Sequence, residues 1–181
     1  RAIARGLALL TGDRKATGLV LGLSVERNVT LAALPRFSPA GVIRPRLERA
    51  AAEKSVAALC VRLASVEQDA GALSGGNQQK VVLAKWLETQ PRVLLLEEPT
   101  RGVDVGAKHE IYELMNRWTA EGMAILMIST ELPELLGLSD RILVLHRGEI
   151  TAESEHDDAT AEKVLAAAMG AAEEGRVRSC A

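Results

Sequence analysis

The sequence predicts an α/β domain with a parallel sheet at its core, and three observations carry that reading. Two continuous apolar runs, Val93-Leu94-Leu95-Leu96 and Ala124-Ile125-Leu126-Met127-Ile128, have the length and character of strands covered on both faces. One strongly periodic helical segment, 105–121, lies between them, and strand, helix and strand in that order make neighbouring parallel strands. Apolar residues are 48% of the 181 and charged residues 25%, enough for a real core and too apolar for wholesale disorder.

The elements follow in order. Leu19 to Leu23 is short, apolar and interrupted by Gly22, and reads as a weak strand or a buried loop. Ser24 offers a cap for a helix over 25–34, which Pro35 ends. Pro39 and Gly41 make 37–45 a connecting loop. From Arg46 to about Leu63 the pattern is helical, with Val56, Leu59, Cys60 and Leu63 at i, i+3, i+4, i+7. Small and polar residues over 65–72 read as a loop. Ser74 caps a helix from about Gly75 to Glu88, with Val82, Leu83, Trp86 and Leu87 available for burial. Pro91-Arg92 turns the chain into the first long apolar run. In 105–121, Ile111, Leu114, Met115 and Trp118 repeat at helical spacing, and Gly122 sits where the helix stops. Pro133 starts a short helix. Ile142–His146, the tight turn Arg147-Gly148 and Glu149-Ile150 read as a C-terminal β-hairpin. Val164, Leu165 and Ala168 mark a last modest helix before a polar tail expected to fray.

Composition narrows the function. Lys plus Arg is 22 and Asp plus Glu is 24, a formal charge of −2, with pI about 6.0, so there is no basic footprint for nucleic acid and no polybasic membrane patch. Aromatic residues are 2%, which argues against stacking platforms for single strands. Cys60 and Cys180 are too few for a disulfide framework or metal cluster and suit a reducing compartment. His109, His146 and His156 lie far apart without ligand spacing. Lys108, His109 and Glu110 read as a solvated helix face, as do Arg44, Arg46 and Arg49; Trp86 and Trp118 read as core.

Two segments carry chemistry. In Leu73-Ser74-Gly75-Gly76-Asn77-Gln78-Gln79-Lys80, a Ser cap and two glycines open a helix whose first N–H groups lack internal partners. Such an end attracts anions, and glycine lets a phosphate approach the backbone; the alternative is a glycine turn that merely starts a helix. In Leu94-Leu95-Leu96-Glu97-Glu98-Pro99-Thr100, two carboxylates stand at the C-terminal edge of a strand, where open α/β sheets bind ligands. One could hold a magnesium ion through water while the next polarises an attacking water; the alternative is a solvated strand end.

Taken together, LSGGNQQK, LLLEEPT, Arg101-Gly102-Val103-Asp104 and a strand ending Ile128-Ser129-Thr130-Glu131 resemble the nucleotide-binding domain of ABC ATPases. The wording LSGGNQQK followed by EEPTRGVDVGAK resembles the second nucleotide-binding half of bacterial monosaccharide importers of the ribose, xylose and galactose type. Asp13-Arg14-Lys15, Gly18–Val25 and Ser139-Asp140-Arg141-Ile142 extend the likeness over about residues 1–150. The resemblance implies an incomplete P-loop NTPase-like fold: 1–23 a remnant of the core and Q-loop region, 24–73 a helical subdomain that contacts a permease, 74–152 the signature, Walker B, D-loop and switch region, and 153–181 a C-terminal helix and tail. It implies that Ser74, Gly75, Gly76, Asn77 and Gln78 meet nucleotide held by another protomer. By the same likeness Glu98 is the catalytic glutamate, Glu97 the Walker B position holding Mg2+ through water, Asp104 the D-loop aspartate and Thr130 the switch position. ATP and Mg2+ are the implied cofactors. A second nucleotide-binding half, permease subunits and, indirectly, a sugar-binding protein are the implied partners, at the cytoplasmic face of the bacterial inner membrane.

Departures from the family pattern shape the expectation. No GxxxxGK[ST] occurs in the 181 residues, so the chain is expected to be the later portion of a longer protein, with its phosphate-loop strand before Arg1. Alone it is then expected to be inactive, marginally stable and to expose a pairing edge. Glu97 replaces the usual aspartate, Thr130 the switch histidine, and Gly12 the Q-loop side chain, so the site on this side reads as degenerate while the signature is intact. The family implies an ATP hydrolase energising sugar import. The alternatives are a non-catalytic ABC module that only dimerises or regulates, and a DNA-repair-type ABC ATPase, which the acidic pI and the TRGVDVGAK wording disfavour.

Overall fold

The structure is a computed structural model that describes residues 2–170; the polar tail, Cys180 and the end of the 153–181 segment lie outside them. The chain forms two compact units, one up to Ile128 and one from Ser129.

In the first unit, β1 (Leu7–Leu10), β2 (Val93–Glu97) and β3 (Ala124–Ile128) make a parallel sheet in the order β1-β2-β3, with Leu9, Leu95 and Leu126 side by side. The parallel pairing of β2 and β3 is as the sequence predicts. β1 is not foreseen there. Four apolar residues are too short a run for periodicity to identify. Gly6, with φ +78°, turns the chain into β1, and its carbonyl accepts the N–H groups of Arg92 and Val93.

Reading the two apolar runs as buried on both faces is corrected. Ala8, Leu10, Leu94 and Leu96 are buried, on the face that α4 (Gly75–Leu87) and α5 (Val105–Ala120) pack. On the other face Leu9, Leu126 and Ile128 are 46%, 56% and 63% exposed. A continuous apolar run does not say how many faces are covered; here helices cover one.

Before α4 lie α1 (Val25–Thr30), α2 (Leu34–Phe37) and α3 (Pro45–Ala58). Ser24 caps α1 by accepting the Arg27 N–H. The predicted 25–34 helix is interrupted instead by a tighter turn at 31–33, and Pro35 stands in the first turn of α2, where its missing N–H costs nothing. The helix predicted to Leu63 ends at Ala58, with Cys60 exposed in the left-handed region at φ +50°. The stripe read across that boundary is therefore not one helix face. Leu19–Leu23 is loop, tied down by buried Asn28, whose amide accepts the Val20 N–H and donates to the Val20, Leu23 and Ser24 carbonyls. In α4, Val81, Val82, Leu83 and Ala84 are completely buried; each larger side chain contributes about 2 kcal/mol. Helix α5 buries Ile111, Leu114, Met115 and Trp118 as its periodicity predicts, and Gly122, φ +92°, ends the turn that follows.

The second unit has α6 (Leu132–Leu138), the antiparallel hairpin β4 (Arg141–His146) and β5 (Glu149–Glu155), and α7 (Ala161–Ala168). Arg147 and Gly148, at φ +50° and +85°, make the tight hairpin turn. Ile142, Val144, Val164 and Ala167 form its core, packed by Leu132, Leu135 and Leu136.

Candidate functional site

The N-terminal turn of α4 is built by geometry rather than by a side-chain cap. Ser74 occupies the cap position, yet its hydroxyl makes no cap bond and instead accepts from Asn77 Nδ2 at 2.9 Å. First-turn amides of an α-helix have no intrahelical acceptor, so those of residues 75–77 depend on groups outside the helix. Ser74 is exposed, Gly75 and Asn77 are half-buried and Gly76 is buried.

The polar residues after the glycines bond to five different parts of the chain. Asn77 Oδ1 accepts the Arg62 N–H at 2.8 Å. Gln78, 5% exposed, donates to the Ala70 carbonyl at 3.3 Å and accepts from Arg14 Nε at 3.4 Å. Gln79 donates to the Pro99 carbonyl at 2.6 Å, and Lys80, 1% exposed, donates to the Cys60 carbonyl at 3.0 Å and pairs with Glu110. The Gln78 side chain thus lies inside the domain. The open surface of the turn is made by Ser74, Gly75 and Asn77.

Both glycines are required sterically. A Cβ on Gly75 would lie 2.8 Å from Arg14 Nη2 and 2.9 Å from the Gly102 carbonyl oxygen; one on Gly76 would lie 2.5 Å from the Ala107 Cβ and 3.6 Å from Asp104 Oδ2. The structure therefore brings the signature turn against the start of α5. Asp104 caps α5, its Oδ1 accepting the Ala107 N–H at 3.0 Å.

A second group forms where β1 and β2 end. Glu97 is exposed at the last position of β2, and its Oε2 accepts the Gly12 N–H at 3.3 Å. Gly12 lies against both acids: a Cβ there would be 3.5 Å from Glu98 Cβ. Glu98 holds a left-handed φ of +47°, and its N–H donates to the Ile128 carbonyl at 2.8 Å. A non-glycine residue at such a φ marks stored strain of the kind found at functional positions. Thr130 is exposed and belongs to the second unit. Among the described residues no three His, Cys, Asp or Glu side chains gather in a group able to hold a metal. Glu97 and Glu98 alone do not amount to a Mg2+ ligand set, which needs near-octahedral oxygen donors.

Sequence reasoning missed three positions. Glu110, read as a solvated helix residue, accepts from buried Lys80 and pairs with Arg62 at 3.2 Å. Its carboxyl is held below its ordinary value chiefly by the Lys80 hydrogen bond, against an opposing desolvation. Arg49 pairs with Glu26 at 3.6 Å and with Glu67. Lys85 is buried, its Nζ donating to the Gly18 carbonyl; burial pushes its pKa down. Nothing in a one-dimensional pattern flags a lysine turned inward. A cleft of about 450 Å3, between α3 and the loop after it, includes none of the predicted site residues.

Comparison with known proteins bears on this arrangement. The family described as ABC transporter matches residues 14–101. The chain is 51% identical over 169 residues to the ribose import ATP-binding protein RbsA of Oceanobacillus iheyensis, covering 93% of this chain and 34% of that protein. It is 51% identical over 171 residues to the ribose import ATP-binding protein RbsA 2 of Streptomyces avermitilis, covering 94% and 34%. The chain spans about a third of the length of these relatives. In fold it is similar to a solved ATP-binding cassette of an ABC transporter, with TM-score 0.72 and 23% identity over 92% of this chain and 69% of that one. It is similar also to a dimeric cassette in a post-hydrolysis state bound to ADP and Pi, with TM-score 0.69 and 21% identity over 86% and 66%. The signature turn, the carboxylate-ended strand and these likenesses agree: over residues 14–101 the chain matches the ABC transporter family, and over nearly its whole length it is similar to the ATP-binding proteins of ribose importers.

Proposed function

We propose that this chain is part of the energising component of a sugar ABC importer and lends its signature turn to an ATP site completed by another nucleotide-binding half. The observation that supports this most directly is the α4 N-terminus. Ser74 is exposed with its hydroxyl free of any cap bond, and the half-buried Gly75 follows it. A helix end of this kind stabilises phosphate charge through amides and dipole together. The family binds ATP, typically with Mg2+. Bound there, ATP supplies the phosphoanhydride whose hydrolysis drives transport.

The roles of this chain's own residues follow. Ser74 and the Gly75 amide orient a γ-phosphate presented from across the interface. Asp104 holds the start of α5 beneath that turn through its cap bond to Ala107. Glu98, directly after β2, is the group that would orient a water. Glu97 has one carboxylate oxygen engaged by Gly12, and with Thr130 at the switch position this side serves as the weaker half of a pair. Permease subunits, a sugar-binding protein and attachment at the cytoplasmic face of the inner membrane belong to the same proposal. Among the described residues no helix is long and apolar enough to cross a membrane.

The test is made in the complete transporter. Ser74→Ala is expected to lower ATP turnover by roughly tenfold or more, the scale of losing a positioned donor to a transferring phosphoryl group. Glu98→Gln is expected to lower it by no more than about twofold. Equal or reversed effects overturn the division of labour. The Gly12–Glu97 bond also favours a second reading, a module that only dimerises or regulates. In that case both substitutions leave turnover unchanged. For the 181-residue chain by itself, calorimetric titration with ATP is expected to give a Kd weaker than about 1 mM.

A further inference from the structure

The structure assigns to Arg14 the task of positioning the signature turn, an inference that rests on the reading of that turn given above. Arg14 begins a single wide turn, 14–18, that follows β1 and is closed by the Leu19 N–H donating to the Arg14 carbonyl at 2.8 Å. The turn is fixed at its start by Asp13, whose Oδ1 accepts the Lys15 and Ala16 N–H groups at 3.0 Å each. It is fixed at its end by Lys85, which donates to the Gly18 carbonyl. The base of the Arg14 side chain is therefore held from both directions.

From this base the guanidinium reaches three points. Nη1 donates to the Arg101 carbonyl at 2.7 Å, Nη2 to the Gly102 carbonyl at 3.2 Å, and Nε to Gln78 Oε1 at 3.4 Å. The two carbonyls belong to the turn between Glu98, just after β2, and Asp104, where Gly102 has φ +65°. Gln78 lies in the first turn of α4 and is fixed from its other end by the Ala70 carbonyl. Arg14 thus joins the segment after β1, the turn before Asp104 and the signature helix.

Contact with Gly75 shows how close this arrangement is. A Cβ there would meet Arg14 Nη2 and the Gly102 oxygen at once, so the turn fits against the guanidinium only because Gly75 has no side chain. The planar fork is what the task needs: it binds two adjacent carbonyls while a third donor addresses an amide oxygen, which a lysine cannot do. Arg14 touches no reacting atom in this account. It acts through Gly75, Gln78 and Gly102 and is a positioning residue.

The experiment uses Arg14→Ala and Arg14→Lys, each in the 181-residue chain and in the complete transporter. In the chain, amide hydrogen exchange at Gln78, whose N–H donates to the Ser74 carbonyl, and at Arg101 and Val103 is expected to rise together in Arg14→Ala, by roughly tenfold or more, while the amides of β1 and β2 keep wild-type rates. In the transporter, kcat for ATP hydrolysis is expected to fall by roughly ten- to a hundredfold with KM within about twofold, because a misplaced turn costs the transition state more than ground-state binding. Arg14→Lys, which keeps the charge and at most one carbonyl contact, is expected to fall between wild type and Arg14→Ala in both readouts. It carries the comparison if Arg14→Ala does not fold. Unchanged exchange at Gln78, or a Lys variant indistinguishable from wild type, overturns the assignment. Raised exchange at both segments, together with full ATP turnover in Ser74→Ala, keeps Arg14 as the positioning residue and overturns the phosphate reading of the turn instead.

Discussion

Lys80 shows how a residue hidden in a motif can be structural. Its side chain is 2% exposed and its ammonium is shared between the Cys60 carbonyl and Glu110, whereas the Glu110 side chain is 35% exposed and has Arg62 as a second partner. The two ends of the pair are therefore unequal. Removing Glu110 strands a buried cation; removing Lys80 leaves a carboxylate that water and Arg62 still satisfy. Glu110→Ala is expected to cost about 2 kcal/mol, below the range for a fully buried pair because Glu110 is partly solvated, and Lys80→Met less than about 1 kcal/mol. Urea midpoints compare them, and the reverse order would refute the asymmetry. The pH dependence has a definite sign. Glu110 is held below its ordinary 4.5, so its contribution is complete above that value and is lost as pH falls through the lowered folded one. The stability gap between wild type and Glu110→Ala should close on acidification and stay constant above neutral pH.

At the scale of elements, α4 carries both the packing and the candidate chemistry, and its two glycines differ in what they make room for. A Gly75 Cβ would meet a guanidinium nitrogen at 2.8 Å, which ends a long side chain and can give way, and the Gly102 backbone oxygen at 2.9 Å, which has to shift by less than the 2.5 Å contact at Gly76 demands. The atom that would meet a Gly76 Cβ is the Ala107 Cβ, fixed to the backbone of α5. Gly76→Ala should therefore destabilise the chain by about 1–3 kcal/mol, more than the roughly 1 kcal/mol that alanine gains in a helix, while Gly75→Ala should cost less. Adding Ala107→Gly to Gly76→Ala should recover most of the loss in urea denaturation; an additive loss would refute the contact. The start of α4, the apolar stripe of α5 and the parallel pairing of β2 with β3 were legible in the sequence, because cap, period and order are local signals. The Glu97 and Glu98 strand end was legible too. The links that hold them were not: Arg14 to Gly102 spans 88 residues and Gly12 to Glu97 spans 85, and no periodicity reports such pairings. The α3 boundary failed for a different reason, since Leu59 and Cys60 continue a helical spacing although the backbone leaves the helix at Ala58.

At the scale of the molecule, among the described residues, the consequential feature is the exposed apolar face of the sheet in the first unit. Leu9, Leu126 and Ile128 are exposed on one side, and in the pairing order β3 has β2 on one flank only. An apolar strand with an open hydrogen-bonding edge is a template for pairing with another chain. The 181-residue chain by itself is therefore expected to self-associate as concentration rises, which sedimentation velocity reads as a mass that climbs with loading. Leu126→Lys and Ile128→Thr act on this face directly. Lysine places a charge that a second copy cannot bury unpaired, and threonine keeps strand propensity while removing apolar area. Each should weaken association by roughly tenfold, the equivalent of about 1.4 kcal/mol. Because both positions are already exposed in the single chain, neither should lower the urea midpoint by more than about 0.5 kcal/mol. That separation distinguishes an interface from a core. A wild-type chain that remains monomeric at every concentration and melts cooperatively would show that the open face is tolerated in water, and association would then not follow from its exposure.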